Sequence, residues 1–141
     1  MRSITLVAVL LGCASPTLAA KDVSCKLVHQ ELANAQKRQW TPAINRQLNG
    51  KLDSINQVFE LSGWFIVFVD AKGADPPFLF YHGNPVKTHY ITMWSGAAMR
   101  SEQAEIKNWV LKNAPGIPVN LASCFAWQVT HGRDINPDVG R

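Results

Sequence analysis

The chain predicts one α+β domain: two helices, a three-stranded antiparallel meander, then two helices, tied by one disulfide. Three observations carry this. Apolar residues recur at steps of three and four before residue 62 and after residue 101. Between them the pattern turns aromatic and β-branched, with short turns. Two cysteines, Cys25 and Cys124, bracket the whole. Helices grouped on either side of a run of strands point to α+β rather than alternating α/β.

The first twenty residues are read as an address and not as part of the domain. Met1-Arg2 supplies a positive charge, Ile4 to Leu11 is apolar apart from Thr5, and Ala14 to Ala20 is rich in small residues. That is the layout of a secretory signal peptide over residues 1–20. The apolar run is short of the ~20 residues that a spanning helix needs. Two exits stay open. A signal peptidase could cut after Ala19 or Ala20, giving a periplasmic or secreted protein. Alternatively Leu10-Leu11-Gly12-Cys13 resembles a lipoprotein box, and Cys13 would become a lipid anchor.

Removing Met1–Ala20 from the 141 residues leaves 121, enough for a single core. We expect the domain over residues 21–133 and a polar, mobile tail over 134–141. In the exported chain Cys25 and Cys124 are the only cysteines left, and an even pair in an oxidising compartment is most simply a disulfide. In the chain-entropy account, closing a loop of about one hundred residues is worth ~4–5 kcal/mol.

The first helix is expected from Asp22, as N-cap, to Gln39, with Cys25, Val28, Leu32 and Ala35 on its apolar face. Thr41-Pro42 reads as the start of a second, a capping hydroxyl followed by proline where its missing N–H does no harm. Ile44, Leu48, Leu52, Ile55, Phe59 and Leu61 continue at helical spacing, and Gly63 reads as the left-handed stop. Gly50 in the interior marks a bend or a close contact.

The meander follows. Trp64–Val69 is aromatic and β-branched without alternation, the pattern of a strand buried on both faces. Phe78–Tyr81 is a short second strand. Lys87–Trp94 is the third, with Thr88, Tyr90, Thr92 and Trp94 on one face and His89, Ile91 and Met93 on the other. Ser101 then caps a helix with Glu102 and Glu105 in its first turn. Pro118–Thr130 reads as a last helix with Leu121, Cys124, Phe125 and Val129 inward, although Phe125, Trp127 and Val129 also alternate as in a strand.

The charge balance is mild: 14 Lys and Arg against 10 Asp and Glu, net +4. No basic stripe interleaved with aromatics is present, which argues against nucleic acid as a partner. Chemistry-bearing residues are few. His82, His89 and Asp70 are the weak catalytic candidates, because two imidazoles on adjacent strands could act as acid and base or hold a metal. Their spacing forms no ligand motif, so neither metal nor cofactor is expected. His131 suits a helix C-terminus. Ser95-Gly96 lacks the second glycine of a nucleophile elbow. Paired acids for glycoside chemistry are absent, since Glu102 and Glu105 sit at a helix start and Asp134 and Asp138 in the tail.

What stands out is the aromatic load, five Trp, six Phe and two Tyr. Phe78, Phe80, Tyr81, His82, Tyr90 and Trp94 are expected to form a binding patch on the hairpin. The sequence is therefore read as an exported bacterial periplasmic or envelope binding protein of inhibitor, toxin-immunity or accessory-subunit type. It would act by occluding a protein partner in the envelope, and would meet the membrane only through an anchor at Cys13. A small secreted histidine-dependent enzyme or toxin, and a structural subunit of an envelope assembly, are the alternatives.

Overall fold

Two tertiary ties act on the chain before its first long helix, and they decide how it starts. The structure, a computed structural model, describes residues 23–132. The expected signal segment over residues 1–20, Cys13 within it, and the expected tail over 134–141 lie outside the described residues. Val23–Leu27 forms one 3-10 turn in place of the long helix expected from Asp22 to Gln39. Cys25 is bonded to Cys124, with Cα atoms 4.8 Å apart. His29 then exchanges both backbone hydrogen bonds with Glu60, at 2.9 and 2.8 Å. A disulfide and an antiparallel bridge four residues apart hold the backbone extended, and helical spacing gives way to them.

Helix α1 spans Asn34–Gln47 and runs straight through Thr41-Pro42, which was expected to start a helix. Pro42 takes one N–H out of the ladder, and it does so on the exposed side. Thr41 donates its hydroxyl to the Lys37 carbonyl at 2.7 Å rather than capping. Trp40, Ala43 and Ile44 form the buried face. The helix stops where Asn49 and Gly50 take φ of 53° and 78°. There Gly50 N–H donates to the Asn45 carbonyl at 2.8 Å. Gly50, not Gly63, is the left-handed stop.

The second half of the expected helix is a strand, β1, Leu52–Leu61. It pairs antiparallel with β2, Trp64–Ala71, through a two-residue turn at Ser62-Gly63, both with positive φ. That is the hairpin geometry whose twist matches its strands. Register shifts between Leu52 and Ser54 and between Ile55 and Gln57 each insert one extra residue into β1. Each bulge lengthens the inward repeat from two to three. Leu52, Ile55 and Val58 thereby face one side of the sheet at a spacing that imitates a helix.

β3 is Phe78–His82 and β4 is only Thr92–Trp94, shorter than the expected Lys87–Trp94. The sheet order is β1-β2-β3-β4, all antiparallel, so four strands replace the expected three. A 3-10 turn at Arg100–Glu102 leads into α2, Gln103–Asn113, and α3 spans Val119–His131. Ser101 lies inside that turn and does not cap it. Glu102 does this work, accepting from Met99 N–H at 2.6 Å.

The result is three layers. On one face α1 packs Trp40 and Ile44 against Ile55, Val58, Val67, Val69, Leu79 and Tyr81. On the other, α2 and α3 cover Phe59, Trp64, Ile66 and Phe80. β2 is thus buried from both sides, as its unbroken apolar run predicts. The disulfide pins the N-terminal turn, rather than a first helix, to α3.

Candidate functional site

The aromatic hairpin residues fall into three environments. Phe80 and Tyr81 are fully buried. Phe80 lies edge-on to Phe125 at 5.1 Å, inside the α2/α3 layer. Tyr81 faces α1 and donates its hydroxyl to Gln47 Oε1 at 2.9 Å. Burial, then the neighbouring Tyr90, hold its phenol well above the usual tyrosine range. The core takes up both side chains, which leaves neither on a patch that a partner could touch. Phe78 is half-buried, stacked on Phe68 at 4.4 Å and edge-on to Phe125 at 5.0 Å. Trp94 is half-buried against Phe125 at 5.7 Å. Tyr90 is half-buried too, but packs with Tyr81 on the α1 side, ring centroids 6.3 Å apart. Tyr90 and Trp94 therefore do not share a face. The strand begins only at Thr92, and alternation does not carry through the loop before it.

The histidines are also separated. His82 is exposed and stacked on Trp64 at 4.6 Å, beside the α2/α3 layer. His89 is exposed, its Nδ1 3.0 Å from the Tyr90 carbonyl and its ring against Tyr90, beside the α1 layer. Each imidazole rests on its own aromatic neighbour in a different cluster. Asp70 sits across from the first β1 bulge, accepting from Ser54 Oγ at 3.0 Å and Asn56 Nδ2 at 2.8 Å. His131, in the last turn of α3, stacks on Trp127 at 5.4 Å with Nδ1 2.9 Å from Thr130 Oγ1. Among the described residues, no group of three or more His, Cys, Asp or Glu is placed to hold a metal ion. Ser95 and Gly96 are exposed between β4 and the 3-10 turn.

The surface that remains is the open edge of the sheet. β4 pairs with β3 on one side only, and on its other side no strand pairs with it among the described residues. Its Met93 is 40% exposed, and Ile91 just before it 48%. The chain continues through exposed Ser95, Gly96 and Ala97 to Met99, 67% exposed. From Thr88 to Met99 there is no Lys, Arg, Asp or Glu. Proteins ordinarily protect a free strand edge with charges, bulges or a covering segment. Among the described residues, the shortness of the strand is the one such device at this edge.

The loop leading into β4 is held from below by Gln47, at the end of α1. Its Nε2 donates to the carbonyls of Pro85 (3.0 Å) and Thr88 (2.9 Å). Its Oε1 accepts from Tyr81 Oη and from Tyr90 N–H, the latter at 3.3 Å. One side chain thus satisfies four polar groups and fixes the edge relative to α1. Sequence reasoning missed Gln47 altogether, and placed Ile91 and Met93 on a face without giving them a role. The acid-free stretch around them was the signal available.

No family model, curated protein or solved structure matches the chain.

Proposed function

We propose that the protein is an exported bacterial binding protein that acts by occluding a protein partner in the cell envelope, with the β4 edge as its contact surface. The observation that carries this is the uncharged edge of Ile91 and Thr92–Trp94, continued to Met99, with which no strand but β3 pairs among the described residues. Exposed apolar residues set on a rigid scaffold and flanked by loops suit recognition. The expected hairpin patch is thereby revised. Its contact residues are Ile91, Met93 and Met99, with Trp94 half-buried behind them and His82 away from the edge, stacked on Trp64. The disulfide between two buried cysteines supports an oxidising compartment, and with it export.

The reading is tested by affinity capture. The tagged, disulfide-intact protein is recovered from its native envelope fraction, beside a Met93→Lys variant. One partner protein at fixed stoichiometry, recovered by the native protein and lost with the variant, is the expected result. Equal recovery by both would remove the edge from the account, and a clean monomer from both would remove the binding reading itself.

A further inference from the structure

We infer that the exposed side of α1 is a surface that docks the protein on an anionic lipid bilayer. The inference is independent of the β4 contact. It rests only on the export part of the reading above, which puts the chain beside a membrane. It adds a second meeting point to the anchor expected at Cys13.

The first argument is how charge divides over the fold. Helix α1 carries Lys37, Arg38 and Arg46 and no carboxylate. Exposed Lys51 follows in the turn after it, and exposed Lys87 lies in the loop that Gln47 ties to the helix end. The stretch from Leu52 to Pro77 is the opposite, with Asp53, Glu60, Asp70 and Asp75 against Lys72. The carboxylates nearest to α1 in sequence are Glu31 before it and Asp53 after it, and Asp53 lies 3.8 Å from Lys72. Among the described residues none of the five cations, Lys37, Arg38, Arg46, Lys51 and Lys87, is paired with a carboxylate.

The second argument is position on the helix. Trp40, Ala43 and Ile44 turn toward the sheet, while Arg38 and Arg46 are exposed. Arg46 in the last turn complements the helix dipole. Lys37 and Arg38 lie near the N-terminus, where the dipole opposes a cation, so helix stability gives no account of them.

The third argument selects the occupant. The exposed uncharged residues of α1 are Asn34, Ala35, Gln39, Thr41 and Pro42, and its aromatic residue, Trp40, is buried. A tight protein contact is built around a large buried anchor, and a nucleic-acid single strand around stacking rings. This face offers neither. A layer of anionic headgroups requires neither, because each basic side chain gains from the surface potential without inserting.

The test is flotation of the full, oxidised chain with vesicles of phosphatidylglycerol and phosphatidylethanolamine, using Cys13→Ser so that no lipid is attached. Binding at low salt, absent on phosphatidylcholine vesicles and lost at high salt, is expected. Partition should fall about tenfold when Arg38→Gln and Arg46→Gln are combined, with two charges taken from the surface. Combining Lys107→Gln and Lys112→Gln removes the same charge from α2, in the layer across the sheet, and should leave partition nearly unchanged. Should the α1 variant fold poorly by far-UV circular dichroism, Lys51→Gln with Lys87→Gln, both outside the helix, is read in its place with the same expectation. An equal loss in the α2 variant overturns the inference, because net charge and not this face would then drive adsorption. So does binding that salt does not weaken or that phosphatidylcholine matches. Release by inorganic phosphate beyond that by chloride at equal ionic strength overturns it by assigning the face to a discrete anion, and tighter binding to duplex DNA overturns it by assigning the face to nucleic acid. Absence of vesicle binding by the native chain removes the inference and leaves partner capture at β4 untouched.

Discussion

β1 and β4 are the two edge strands of one sheet, and the chain finishes them differently. β1 is 10 residues long, and a strand that long with a bare edge would invite pairing with other chains. It carries two bulges, the charged residues Asp53 and Glu60, and a cover in which His29 bonds to Glu60. The disulfide four residues upstream holds that cover down. β4 is 3 residues long and has none of these among the described residues. A segment bonded covalently to the far helix covers one end of β1, at Glu60, and the side chain of Gln47 underpins the loop into β4. Among the described residues the first edge is guarded and the second is not.

The largest way to break this comparison is to remove the tie behind β1. The double variant Cys25→Ser, Cys124→Ser should lose about 4–5 kcal/mol by the chain-entropy account, read by urea unfolding. Amide exchange should rise at Glu60 and stay unchanged at Thr92–Trp94. Equal rises at both edges would show that the disulfide does not act on β1 in particular.

The counterpart at β4 is Gln47→Ala. It frees the loop at Pro85 and Thr88 and leaves the buried Tyr81 hydroxyl without its acceptor. A loss of about 1–3 kcal/mol is expected, the penalty for one unsatisfied buried group. Here exchange should rise at Tyr90–Trp94 and not at Glu60.

Tyr81 adds a pH signature to the α1 side of the sheet. Its phenol is pushed up by burial, then by Tyr90. On raising the pH the unfolded chain therefore loses this proton first, near the ordinary value of 10.0. The folded state then holds a proton that the unfolded state does not, and stability falls. This contribution is intact below about pH 10 and declines above it. Thermal unfolding from pH 8 to 11 should show a shallower alkaline decline in Tyr81→Phe than in the native chain.

The smallest effect on stability belongs to Met93→Lys. Met93 is exposed, so unfolding should change by no more than about 0.5 kcal/mol. That same variant should lose the partner, which separates binding from folding at this residue.

The parts of the fold that were legible in the sequence share a feature: each element there keeps its own period. The apolar run Trp64–Val69 of β2, the amphipathic α2 and the Cys25–Cys124 pair all read directly, and α3 read as a helix with a strand as its alternative. β1 did not, because its bulges shift the apolar repeat from two to three and Leu52, Ile55 and Val58 look helical. The Ser62-Gly63 pair was a hairpin signal in plain view, outweighed by that false period. At the candidate site, an aromatic count cannot separate core from surface. Phe80 and Tyr81 alternate on one strand, and with helices on both faces of the sheet each is buried. Only the layer architecture reveals that. The missing carboxylates between Asp75 and Glu102 were legible, and they mark the surface that the aromatics did not.

The most direct measurement of the central claim is site-specific photo-crosslinking in the native envelope, with the photoreactive residue at 93 on β4 or at 56 in the second β1 bulge. The account predicts one crosslinked partner protein from position 93 and none from position 56. Crosslinking from 56 alone, or the same partner from both positions, would contradict it.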